Sequence, residues 1–137
     1  MTGTKNFTLK KGERLHSKKL IDLLFQKKDQ VKFVSHPIIL IAKKIDKNDS
    51  SKFPVQVLFS VSKKKIKRAV DRNLIKRRLR EGYRKNKNNL YSLLESKNQQ
   101  FIISIIYIGA EPESTKHLEE KIIVLLNRLI NEIEKSS

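Results

Sequence analysis

Residues 55–85 read VQVLFSVSKKKIKRAVDRNLIKRRLREGYRK, and the change of period inside this stretch decides the architecture. Val55, Val57, Phe59 and Val61 alternate with Gln56, Leu58, Ser60 and Ser62, the two-residue repeat of a strand with one face on a core. The spacing then predicts a helix from about Lys67 to Lys85, free of proline and weakened only by Gly82. From Lys63 to Lys87 there are thirteen Lys or Arg residues against two acids, Asp71 and Glu81. Arg68, Arg72, Lys76, Arg80 and Arg84 recur every fourth residue. Each such step drifts by only about 40° around a helix, so adjacent members stack along one side, in a row about 24 Å long. A row of that length meets several phosphates, and release of their counterions drives a binding that weakens with salt. Arginine offers phosphate a two-pronged donor and lysine a point charge. A merely solvated helix face intersperses acids to gain pairs at i and i+4, and this segment has few to offer. Its apolar residues give no single core stripe, because Ile66, Ala69, Val70 and Leu74 fall on a different side from Ile75, Leu79 and Tyr83.

Upstream, Leu20, Ile21, Leu24 and Phe25 fall at helical intervals behind Ser17, which is placed to accept an amide hydrogen bond as an N-cap. Phe33 to Ala42 reads as one strand, at an edge or with an irregular start, because Pro37 cannot donate to a ladder. The polar run from Ile45 to Lys52 reads as a turn or loop, and residues 1–16 as an arm with one short ordered stretch. Downstream, Asn86 to Asn89 interrupts the helix, which resumes through Leu94. Phe101 to Ile108 is almost continuously apolar, as a fully buried central strand is. Gly109 to Thr115 is a loop. A last helix from about Thr115 places Leu118, Ile122, Leu125, Leu126, Leu129, Ile130 and Ile133 on one face. The sum is α-β-β-α-β-α with room for one more strand: an α+β chain folded as a single domain over 1–137, its small sheet covered by helices.

The chain has 31 Lys and Arg against 14 Asp and Glu, a formal charge of +17. That surplus repels itself in a compact state, far exceeds what solubility needs, and implies a polyanionic partner. The longest apolar stretch is too short for the roughly 20 residues of a membrane-spanning helix, and the first residues do not form a secretory signal. With no cysteine, the sequence excludes disulfides, thiolate metal sites and thiol nucleophiles, and it agrees with a cytoplasmic location. His16, His36 and His117 are widely spaced and have no companion ligands, so neither a metal site nor a catalytic acid and base is expected. The four glycines form no phosphate-binding loop. On residues alone, two readings stand: a protein serving a structured RNA, and a general nucleic-acid binder that is ribosome-associated or reads DNA. A groove reader usually has a helix-turn-helix frame, whereas strands flank this helix.

Phe59-Ser-Val-Ser-Lys-Lys64, followed by Ala69-Val-Asp-Arg-Asn73 and Lys76-Arg-Arg-Leu-Arg-Glu81, closely resembles the protein subunit of bacterial ribonuclease P. Arg14-Leu15, the segment Leu20 to Phe25 and the last helix extend the resemblance over nearly the whole chain. It implies an α/β sandwich with a left-handed βαβ crossover, in a subunit that assists a catalytic RNA as the 5′ leader is removed from precursor tRNA. It also implies that the RNA does the chemistry and holds the Mg2+, while the protein binds no cofactor. Contact with the catalytic RNA maps by resemblance onto Lys63, Lys64, Arg68, Arg72, Asn73, Lys76, Arg77 and Arg80. The single-stranded leader maps onto a cleft of first helix and sheet with Ile21, Phe25 and Phe33. The spacing of Phe25 and Phe33 also fits ordinary core positions. The chain departs from the family pattern at Leu74, where the signature carries a second Arg, and at Ile21, where many relatives carry Phe and only an apolar contact, not stacking, is available.

Overall fold

The computed structural model describes residues 9–46 and 52–136. A 3-10 turn at Lys11–Glu13 is followed by α1 (Lys18–Leu24), β1 (Val31–Ser35), β2 (Ile38–Ile45), β3 (Val55–Val61), α2 (Ala69–Asn86), α3 (Asn88–Lys97), β4 (Gln100–Tyr107) and α4 (Thr115–Lys135). The strands form one sheet in the order β1-β2-β4-β3. β2 runs antiparallel to both β1 and β4, while β3 and β4 are parallel, with Val57 opposite Ile103. A parallel pair needs a crossover, which α2 and α3 supply. The result is the expected α+β arrangement, with the optional extra strand present.

Alternation along each strand assigns the two sheet faces. Ile38, Leu40, Val55, Val57, Ile103, Ile105 and Tyr107 join Ile75, Leu79 and Tyr83 of α2, Leu90 and Leu94 of α3 and the apolar stripe of α4 in the larger core. Ile41, Ile45 and Ile102 point the other way, where Leu15 and Leu24 cover them. β4 lies between β2 and β3 and is buried at every position but Ile106, as its unbroken apolar run requires. The two apolar sides of the basic segment resolve here. Ile66 is buried ahead of the helix, Val70 is 60% exposed, and the core stripe is Ile75, Leu79, Gly82 and Tyr83. Gly82 lets α2 and α4 close up, since a Cβ there would come within 3.1 Å of the Glu119 backbone.

Two expectations are corrected. Phe33 to Ala42 is not one strand but a hairpin, with β1 at the edge and the turn at His36–Pro37. Pro37 is accommodated because the turn asks no amide of it, and its carbonyl accepts from Ile108 N at 2.8 Å. The segment 9–16 is not an arm. Leu9 and Leu15 are buried, and Leu15 N donates to Val57 O at 2.9 Å, adding a short parallel bridge to the outer edge of β3. Glu13 is 1% exposed; its carboxylate takes Lys87 Nζ at 2.6 Å, the Tyr91 hydroxyl at 2.8 Å and Lys10 N at 2.7 Å. A carboxylate stripped of water is tolerable only with partners of this kind, and losing one from such a buried pair costs about 3–5 kcal/mol. The remainder of the expected arm, 1–8, and most of the expected loop, 47–51, lie outside the described residues.

The same cluster affects two of the chain's three tyrosines, Tyr83 and Tyr91. Tyr83 hydrogen-bonds Tyr91 at 2.9 Å, and burial pushes both phenols far above the ordinary tyrosine range, with Glu13 adding to the rise. Burial pushes Tyr107 up to about 12. A folded pKa above the unfolded value favours the native state fully below that value, near 10, and the advantage is lost as pH rises beyond it. Native protein at pH about 10 should therefore show little phenolate absorbance, whereas chain unfolded in denaturant should be about half ionised. Equal absorbance in the two states would contradict this packing.

Candidate nucleic-acid interface

α2 is built with one side on the sheet and the other turned outward. Arg68 is the N-cap residue and its side chain is 77% exposed, 4.0 Å from Asp71. Asn73 and Arg77 are exposed one turn apart, and Lys76 and Arg80 are half-buried beside them. Lys63 and Lys64 are exposed in the turn that leads from β3 into the helix. The eight cations and amides expected to meet RNA thus lie on or immediately before the outer side of one helix.

The row is not uniform. Arg72 Nη1 donates to Ile66 O at 2.9 Å and Lys67 O at 2.7 Å, so this guanidinium ties down the turn before the helix as well as presenting charge. Arg84 is folded onto Glu81, with Nε 3.0 Å from Oε2. That hydrogen bond draws the Glu81 carboxyl below its usual range. Arg78 turns aside to Glu113 O at 2.7 Å, and Lys65 to Ile108 O at 2.8 Å. Positive density therefore concentrates in the middle of α2, around Lys76, Arg77 and Arg80. Burial, then the neighbouring guanidiniums of Arg14 and Arg77, lower the Arg80 pKa. Arg14 and His16 line the groove that Lys76 and Arg80 face, although both lie in the segment expected to be an arm. Their signal in the sequence was weak, because a cation without periodicity says nothing of where a folded loop carries it.

A second surface lies on the α1 side of the sheet. Ser17 caps α1 by accepting from Leu20 N at 3.2 Å. At the other end Lys43, buried in β2, donates to Leu23 O at 2.6 Å and Gln26 O at 2.9 Å, and Gln30 Nε2 reaches Leu24 O at 2.9 Å. These bonds satisfy carbonyls that the helix end leaves without partners and place a positive charge where the dipole favours it. They also fix Phe25, the C-cap residue, which stands 45% exposed. Ile21 is half-buried in the smaller core with Ile39 and Ile106. Phe33 is elsewhere. Its pairing opposite Leu40 puts it on the α4 side, packed against the larger core. The structure brings Ile21 and Phe25 together and separates Phe33 from them by the thickness of the sheet. On the α1 face of β1 the exposed apolar residue is Val34.

The ribonuclease P family profile matches residues 9–130. The chain belongs to the ribonuclease P protein family. Among curated relatives, the ribonuclease P protein component of Chlorobium phaeobacteroides is 36% identical over 115 residues, covering 80% of this chain and 77% of the relative. That of Porphyromonas gingivalis is 28% identical over 137 residues, covering 100% of this chain and 97% of the relative. The RNase P protein of Thermotoga maritima superposes with a TM-score of 0.63 at 23% identity, over 85% of this chain and 96% of that one. The Staphylococcus aureus protein gives 0.59 at 19% identity, over 85% and 94%. At these identities the two structures bear on the fold, and both have the fold of this ribonuclease P protein.

Arg72 has two duties that substitution should separate. Arg72→Ala removes two charge-assisted bonds to the turn before α2 and should lower stability by about 1–2 kcal/mol, read as a denaturant midpoint. Faster amide exchange over 66–72 should accompany it. Asn73→Ala, on the exposed side, should change neither; equal effects would mean that Arg72 does not brace the turn.

Proposed function

We propose that this family member is the RNA-binding subunit of ribonuclease P, assisting a catalytic RNA in endonucleolytic removal of the 5′ leader from precursor tRNA. The observation that carries the reading is the convergence of Lys76, Arg77 and Arg80 with Arg14 on one side of a helix whose other side is anchored in the core. Such a surface binds a polyanion by displacing the counterions from its phosphates. Among the described residues no three His, Asp or Glu side chains are grouped to hold a metal ion. The magnesium and the bond cleavage are assigned to the RNA partner. No helix among the described residues is long and apolar enough to cross a membrane, and with these partners the protein would work in the cytoplasm.

The surface beside α1 is the second half of the proposal. Ile21 and Phe25 offer an apolar edge, braced by Lys43, to the single-stranded leader of precursor tRNA. Phe25 has a ring on which a base can stack, a contact worth about 1–3 kcal/mol, and Ile21 supplies apolar area only. Phe33 is half-buried against the larger core and is no part of this edge.

Lys76→Ala and Arg77→Ala should each weaken binding to the catalytic RNA and flatten its dependence on log salt by roughly 0.7–0.9 per lost phosphate contact. An unchanged slope would argue that neither side chain meets phosphate. Phe25→Ala should reduce the preference for precursor over mature tRNA by about tenfold, the loss of one stacked base. Equal losses for the two substrates would assign Phe25 a structural role instead.

A further inference from the structure

Arg14 and His16 of the amino-terminal segment, Phe59 of β3, and Lys76 and Arg80 of α2 line an open groove of about 180 Å3. Among the described residues its composition is that of a nucleotide seat: an apolar floor that includes Leu9, a basic rim, and no carboxylate in the lining. The rim is crowded, and Arg80 is held there under partial burial and the fields of Arg14 and Arg77, an arrangement that an anion relieves.

The edge of β3 adds directional groups. Pro54 O accepts from Phe101 N at 2.9 Å and so faces β4, whereas Val57 O accepts from Leu15 N at 2.9 Å and so faces outward. Alternation then turns the amide and carbonyl of Phe59 to the same outer edge as Val57, beyond the short bridge at Arg14. A donor and an acceptor in that position can pair with the edge of a base. The wall opposite is fixed in advance: Glu13, one residue before Arg14, is locked to Lys87 and Tyr91. A site held open in this way loses little entropy on binding.

We propose that this groove seats a single unpaired nucleotide of the partner RNA, with its phosphate on Arg14 and Arg80 and its base against the apolar floor and the outer edge of Phe59. A base still in a helix cannot enter, so the seat selects a bulged or looped nucleotide, the kind of RNA element whose edges are free to be read. The inference rests on the RNA-binding reading of α2 and deepens it: the row along the helix meets backbone, and the groove reads one extruded base.

The test uses the full chain in solution with three probes, uridine 5′-monophosphate, uridine and inorganic phosphate, followed by amide chemical shifts. The nucleotide should shift Phe59, His16 and Arg80 and bind about tenfold more tightly than phosphate, the equivalent of one added hydrogen-bonded contact. Arg14→Ala should cut that affinity about tenfold, while Lys135→Ala, which removes the same charge at the far end of α4, should change it less than about twofold. In the complex with catalytic RNA, one unpaired base should be protected from modification at its pairing edge, and Arg14→Ala should expose it. Nucleotide and phosphate binding equally, with Phe59 unmoved, would overturn the seat, as would the absence of any protected unpaired base. If Lys76→Ala still weakened binding to catalytic RNA in that case, the nucleotide seat alone would fall and the RNA-binding reading would stand.

Discussion

The constraint on which the structure depends is the mutual repulsion of the cations gathered on the outer side of α2. Folding partly buries Arg80 and brings Arg14 and Arg77 up to it, and burial first, then the two neighbouring guanidiniums, depress its affinity for its own proton, against the strong preference of a guanidinium to stay charged. What holds the helix in place is on its other side, where Ile75, Leu79 and Tyr83 are fully buried against β3, β4 and α4. The core therefore stabilises a charge distribution that is unfavourable in the free protein. A polyanion reverses that penalty, so the free-state repulsion and the bound-state attraction have the same physical origin.

The buried charged groups Glu13, Lys87 and Lys43 serve the geometry of the two surfaces. Glu13, one of only fourteen acids in the chain, is spent on an interior ion pair rather than on neutralising the exposed row. It fixes the segment that carries Arg14 and His16 against the junction of α2 and α3. Lys43 does the corresponding work on the opposite face by ending α1 and holding Phe25 at the rim. In both places a charged side chain is withdrawn from solvent and made to set the position of other residues, the role in which buried polar groups confer specificity more than stability.

Elements governed by local chemistry were legible in the sequence. The Ser17 cap, the unbroken apolar run of β4 and the single stripe of α4 each state their structure within one turn or one strand. Pairing across the sheet was not legible, and it produced the misreadings. Ser35-His36-Pro37 lacks the glycine or asparagine that marks a tight hairpin, so two strands read as one. Glu13 and Lys87 are 74 residues apart in the chain, and no period links them. Phe33 failed to join Ile21 and Phe25 because its face depends on register with Leu40, where a shift of one residue moves every side chain through the sheet. Of the interface, the helical row could be read directly, while the groove beside it required the fold.

The central claim is that this protein acts through an RNA that does the cutting, and reconstitution tests it most directly. Purified chain is added to the cognate catalytic RNA at low magnesium and cleavage of precursor tRNA is followed. The account predicts no cleavage by the chain alone, and a cleavage rate for the two together well above that of the RNA alone, with the gain diminishing as salt rises. Cleavage by the chain without RNA, or no gain on mixing at any salt, would contradict it.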